Sequence, residues 1–176
     1  MLAPVRLTMA EFVDLVENNP DKHFKFTAEG EVIEVSPKRL HGWIQTTVAY
    51  FFRGYISALP GYEVLTEVAH QLGDWPCRPD VSIDKAGDEE IPTIAPLVAV
   101  EIKSESNSYT DLREKARKYL EHGTKMVLLM YSGKRIIEVH QPGVDIQLLT
   151  AEDTLSGGDV LPGFSVEVAQ FFPEPE

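Results

Sequence analysis

Two segments constrain this chain most: RPDVSID at 78–84 and VAVEIKS at 98–104. Both are rich in apolar and β-branched residues, the composition of strands, yet they carry Asp80, Glu101 and Lys103. The run LVAV before Glu101, with a helical pattern after it, implies a strand covered on both faces. Charges in such a strand are costly unless they are paired or hold a metal.

The surrounding pattern predicts the frame that carries them. TMAEFVDLVEN opens with a Thr8/Glu11 capping box and reads as a short helix ended by Pro20. HFKFTAEGEVIEVS reads as a hairpin of strands near 23–27 and 31–35. Leu40, Ile44, Val48, Phe51 or Phe52, Tyr55 and Leu59 recur at helical spacing, predicting a long, largely buried helix stopped by Pro60-Gly61. Three strand-like segments follow: YEVLTEVAHQL, RPDVSID and APLVAVEIKS. TDLREKARKYLEHG is a helix with Leu112, Ala116, Tyr119 and Leu120 on one face and Gly123 as its stop. KMVLLMYS reads as a buried strand, and GKRIIEVHQPGVDIQLLT as a hairpin.

Strand, helix, then apolar strand predicts a crossover, so the expected class is α/β (α+β) with a mixed central β-sheet flanked by helices. At 176 residues and 43% hydrophobic composition, the chain is expected to form one domain over 1–176. Only the PEPE tail reads as loose. The sequence has no long apolar run and no basic-then-apolar leader, which predicts a cytoplasmic protein without a membrane partner. The single cysteine, Cys77, accords with a reducing compartment and reads as a packed side chain beside Trp75 and Pro76.

Asp80 and Glu101 are hard oxygen donors at predicted strand ends, a pair suited to Mg²⁺, with Mn²⁺ as the alternative. Lys103 lies two residues beyond Glu101 and so on the same sheet face. A metal, a water and an ammonium together are the equipment for hydrolysing a phosphodiester. The bland alternatives are a turn residue at Asp80 and a Glu101–Lys103 surface ion pair contributing about 0–1 kcal/mol. The two covered faces expected for the second strand favour the metal site.

The order Pro79-Asp80 and then Glu101-Ile102-Lys103 reproduces the PD-(D/E)XK signature. Over most of its length the chain resembles the Uma-two family of endonuclease-like proteins. The resemblance lies in EGEVIEVSP followed by His41, in RPDVSI, in PLVAVEIKSESNSYTDLREKARKYLEHG and in DVLPGFSVEVAQFF. It implies a restriction-endonuclease-like core and Mg²⁺-dependent cleavage of DNA. Asp80, Glu101 and Ile102 would be the metal-contacting positions, and Asp80, Glu101, Lys103, Lys115 and Glu34 the catalytic set. His41, Lys38 and Arg39 would face the substrate; an inert histidine at a helix start is the competing reading of His41. A homodimer follows by analogy, since a duplex has two strands to cut.

Two departures stand out. Many members take their lysine from the following helix, here Lys115, whereas this chain also has Lys103; strand geometry alone favours Lys103. Members also show Tyr-Glu before the first hairpin turn, where this chain has Lys25-Phe26. Glu31 and Glu34 would face opposite sides of their strand, and Glu34 is taken as the third acid.

The net charge of −12 opposes a polyanionic partner. Lys38, Arg39, Arg113, Arg117 and Lys118 would have to form a local basic surface. A scaffold that keeps the fold, or a hydrolase of a small phosphodiester, fits the charge without one.

Overall fold

The computed structural model describes residues 5–36, 38–104 and 107–174. The loose tail expected at 173–176 lies partly outside them, as does Pro37 of the SPKR cluster.

The predicted first helix is α1 (Met9–Glu17), and its capping box is formed as expected, with Thr8 and Glu11 bonded reciprocally. The predicted hairpin is β2 (His23–Phe26) and β3 (Glu31–Val35), joined by β1 (Val5–Arg6) in a three-stranded antiparallel sheet. Phe12 of α1 packs on Phe26, its ring 4.4 Å away, and both are buried with Phe24 and Val32. This small layer brings β2 alongside the central sheet.

The long helix is α2 (Arg39–Tyr55), followed by a 3-10 turn at Ile56–Ala58. It is less buried than predicted: Ile44, Val48 and Phe52 face the core, while Trp43 and Tyr50 face outward. The first of the three strand segments is divided. YEVLTEVAHQL forms β4 (Tyr62–Thr66) and β5 (His70–Leu72), with a break at Glu67, and β5 pairs with β6 (Trp75–Cys77). Cys77 is buried as expected. The other two segments are β7 (Val81–Lys85) and β8 (Val98–Ile102).

Helix α3 (Tyr109–Glu121) crosses from β8 to β9 (Met126–Tyr131), and β8 and β9 pair in parallel. After β10 (Ile136–His140) and β11 (Gln147–Leu149), the central sheet has the order β11-β10-β9-β8-β7-β4. All its other pairs are antiparallel, so the sheet is mixed as predicted. A further pair, β12 (Thr154–Ser156) and β13 (Ser165–Glu167), was not legible as strands.

Alternation along β8 puts Val98, Val100 and Ile102 in the core shared with Ile44, Val48 and Phe52 of α2. Ala99 lies on the other face, among Leu112, Ala116 and Tyr119 of α3. Both faces are therefore covered, and Glu101 follows Ala99 toward α3. Each fully buried Val, Ile or Phe here contributes roughly 1.5–3 kcal/mol.

Candidate active site

The β7–β8 ladder ends at the pair Val81 and Val100. One residue earlier, the Asp80 N–H still donates to Val100 O at 3.0 Å. The next N–H of β8, that of Ile102, is taken by the Asp80 side chain, 2.7 Å from Oδ2. Asp80 is fully buried. Its Oδ1 accepts from the ammonium of Lys25 on β2 and lies 3.3 Å from His41 Nε2 on α2. Gln45 holds the Asp80 carbonyl from below, with Nε2 3.0 Å away.

Burial is the largest influence on Asp80 and would push its carboxyl up, but the Lys25 ammonium and His41 outweigh it and hold the group well below the ordinary range. Lys25 shifts in the matching sense. Burial alone would lower its pKa, yet the charges of Asp80, Glu101 and Glu67 raise it.

Glu101 has its own cation. Lys115 Nζ donates to Oε2 at 3.2 Å and Tyr119 OH to Oε1 at 3.0 Å, both from α3. Burial, reinforced by the Asp80 charge, pushes the Glu101 carboxyl up against the pull of Lys115. Lys115 is almost as buried as its partner, at 2% exposure against 1%. Two buried carboxylates thus face two buried ammoniums.

In front of Asp80 lies Glu67, whose backbone is in the left-handed region at φ 54, a costly conformation for a non-glycine residue. Arg78 fixes it by bonding its carbonyl at 2.6 Å and its carboxylate at 3.3 Å. His41, Glu67 and Asp80 offer donor atoms that all lie within 4.8 Å of one another. The 3.3 Å approach of His41 Nε2 to Asp80 Oδ1 is not aligned as a hydrogen bond. Neither ring nitrogen has a hydrogen-bond partner among the described residues, although His41 is only 7% exposed. Lys25, His41 and Glu67 line a cavity of about 440 Å³ with Glu34, Lys38 and Lys103. Asp80 stands directly behind them.

The structure therefore brings Asp80, Glu101, Lys115 and His41 together. Lys103 comes just after β8 and lines the cavity, but its ammonium is held by the carbonyls of Ser104 and Asn107, each at 2.9 Å, and lies over the Tyr109 ring. The condition for Lys115, that its helix pack over the strand, is met. Glu34 reaches the cavity wall, paired with Lys22 at 3.2 Å rather than with the buried acids. Ile102 contributes its N–H to Asp80 and its side chain to the core. Lys38 lines the cavity, while Arg39 is exposed at the first turn of α2.

The basic residues of α3 are engaged within the chain, although Arg113 and Arg117 keep their side chains 56% and 52% exposed. Arg113 pairs with Glu138 at 2.5 Å, Arg117 bridges Glu114 and Glu121, and Lys118 donates to Ala28 O. Sequence reasoning missed Lys25, Glu67 and Tyr119 as parts of the site.

The mixed six-stranded sheet seats Asp80 just before β7 and Glu101 on β8, with Lys115 of the crossover helix against Glu101. The chain belongs to the Uma2 family, described as "Putative restriction endonuclease", whose model matches residues 9–169. A crystal structure described as "a putative nuclease belonging to DUF820 from Anabaena variabilis ATCC 29413" shares the fold with a TM-score of 0.80. The two are 20% identical over 94% of this chain and 97% of that one. The DrdV–DNA complex, solved by cryo-electron microscopy, aligns with a TM-score of 0.36 at 18% identity, over 69% of this chain and 85% of that one. Comparison with curated proteins gives no match.

Proposed function

We propose that this protein is a divalent-metal-dependent endonuclease that hydrolyses phosphodiester bonds in DNA. The observation that carries the reading is the pair of buried acids, Asp80 and Glu101, held with two ammoniums behind an open cavity. Buried charge at this density is costly to stability, and functional sites are where such cost is retained. Family membership supports the same reading.

The residues present fit a cation. Asp80 supplies a buried carboxylate, and His41 offers ring nitrogens without hydrogen-bond partners beside it. Asp80, with Glu67 and His41, would hold the ion, and Glu101 lends negative charge from behind. A bound divalent ion would supply Lewis-acid charge that activates water and offsets charge on phosphorus.

The chain's own groups do the rest. Lys115 keeps Glu101 oriented, and Tyr119 fixes its other oxygen. Lys25 lines the cavity while its ammonium stays on Asp80, so it holds that carboxylate in place. Lys38 and Lys103, at the same wall, hold the flanking backbone.

A small phosphodiester is the second reading. A cavity of about 440 Å³ suits a small ligand, and the net charge of −12 disfavours a long polyanion. The two are separated by assaying duplex DNA, single-stranded DNA and a small chromogenic phosphodiester in parallel with Mg²⁺ and Mn²⁺. Cleavage of DNA with little turnover of the small ester supports the endonuclease; the opposite pattern supports the second reading.

A further inference from the structure

The cation position at the cavity floor is unlike a pure carboxylate site, because one of its three donors is an imidazole. We propose that His41, Glu67 and Asp80 form a site selective for a first-row transition ion such as Mn²⁺ over Mg²⁺, kept filled by the Lys25 ammonium in the metal-free protein. This rests on the nuclease reading for its purpose, but not for its test.

Three observations converge. The donor atoms of the three residues lie within 4.8 Å of one another. His41 is buried with neither ring nitrogen hydrogen-bonded among the described residues, and Nε2 lies 3.3 Å from Asp80 Oδ1. A buried polar atom without a partner is costly, so an orphaned imidazole beside two carboxylates calls for a cation. Lys25 already provides one: its ammonium bonds Asp80 Oδ1 and feels the charge of Glu67.

Selectivity follows from the donors. Mg²⁺ prefers oxygen ligands and retains its waters, whereas first-row transition ions accept imidazole readily. Charge balance explains the ammonium. Asp80 and Glu101 are already matched by Lys25 and Lys115, so an incoming divalent ion meets a neutral buried set and must displace Lys25. The cavity next to Lys25 leaves room for its side chain to withdraw.

The test is calorimetric titration of the DNA-free protein with Mn²⁺ and with Mg²⁺, joined to electron spin echo spectroscopy of bound Mn²⁺. The wild type should bind Mn²⁺ at least about tenfold more tightly than Mg²⁺, and the spectrum should carry imidazole nitrogen coupling. His41→Gln should abolish that coupling and weaken Mn²⁺ binding about tenfold or more. Lys25→Met should strengthen binding of both ions, because it removes the competing charge.

Equal affinities for the two ions, or Mn²⁺ binding unchanged in His41→Gln, would overturn the proposal. If His41→Gln does not fold by circular dichroism, the wild-type spectrum decides alone, and absence of nitrogen coupling refutes the site. Selective Mn²⁺ binding without any cleavage would leave this inference standing and sink the nuclease reading. Cleavage of DNA by a protein whose bound Mn²⁺ shows no nitrogen coupling would do the reverse.

Discussion

Lys25 on the first hairpin and Asp80 at the mouth of the central sheet, 55 residues apart in sequence, form a buried ion pair. It joins the two sheets of the molecule and places a cation against the acid on which the site is centred.

The pair reverses what two bare carboxylates would do. Unpaired, Asp80 and Glu101 would repel, and removing either without metal would leave stability unchanged or raise it. Each instead has its own ammonium. Asp80→Ala in chelator should therefore destabilise the protein by about 3–5 kcal/mol, since it strands Lys25. Chemical denaturation measures this, and the double variant Asp80→Asn with Lys25→Met should recover part of the loss.

The pH dependence has a definite sign. Asp80 is depressed in the folded state, so the stability it contributes is present above its ordinary value of 3.8 and is lost as pH falls through the lower folded value. In Lys25→Met burial dominates, the Asp80 carboxyl rises, and stability is instead lost as pH rises through it. The gap in unfolding midpoint between wild type and Lys25→Met should be widest near about pH 7 and narrow toward about pH 4. A gap independent of pH would mean that the pair does not set the Asp80 charge.

Much of this frame was legible from local pattern. The capping box of α1, the apolar faces of α2 and α3, and the two covered faces of β8 all follow from residues near one another in the chain. Lys25 was not legible for a physical reason. In HFKF, alternation places the lysine opposite two phenylalanines, which reads as a solvent-facing side chain. Both faces of β2 are in fact covered at that point, and the second cover is the acid cluster of a distant strand. Glu67 was hidden in YEVLTEVAHQL because no glycine marks its left-handed backbone. Tyr119 was read as one more apolar contact on α3, although its hydroxyl reaches Glu101.

The two lysines should separate by kind of loss. Lys115→Met strands the buried Glu101 carboxylate, so it should lower stability by about 3–5 kcal/mol and, in the fraction that folds, turnover by about 10²-fold or more. Lys103→Met should leave the fold intact and act mainly on substrate affinity, because the residue lines the cavity with its ammonium on the Ser104 and Asn107 carbonyls rather than on the buried acids. Thermal unfolding with kcat and KM measured separately distinguishes them; a larger loss of kcat in Lys103→Met would reverse the assignment.

DNA affinity should weaken with salt, and the lysines of the cavity should set the slope. Replacing Lys38 and Lys103 with Ala should reduce the slope by about one each. Arg117→Ala should change it little, because that residue is not among those lining the cavity. Binding isotherms at several salt concentrations give the slopes. A large effect from Arg117→Ala would move the contact surface to α3.

The most direct measurement is cleavage of duplex DNA by purified wild type in Mn²⁺, in Mg²⁺ and in chelator, beside the charge-neutral double variant Asp80→Asn with Lys25→Met. Metal-dependent cleavage by the wild type, abolished by chelator, restored by added metal and missing from the folded double variant, is the predicted result. No cleavage in any divalent ion, or cleavage that persists in chelator and in the double variant, would contradict the account.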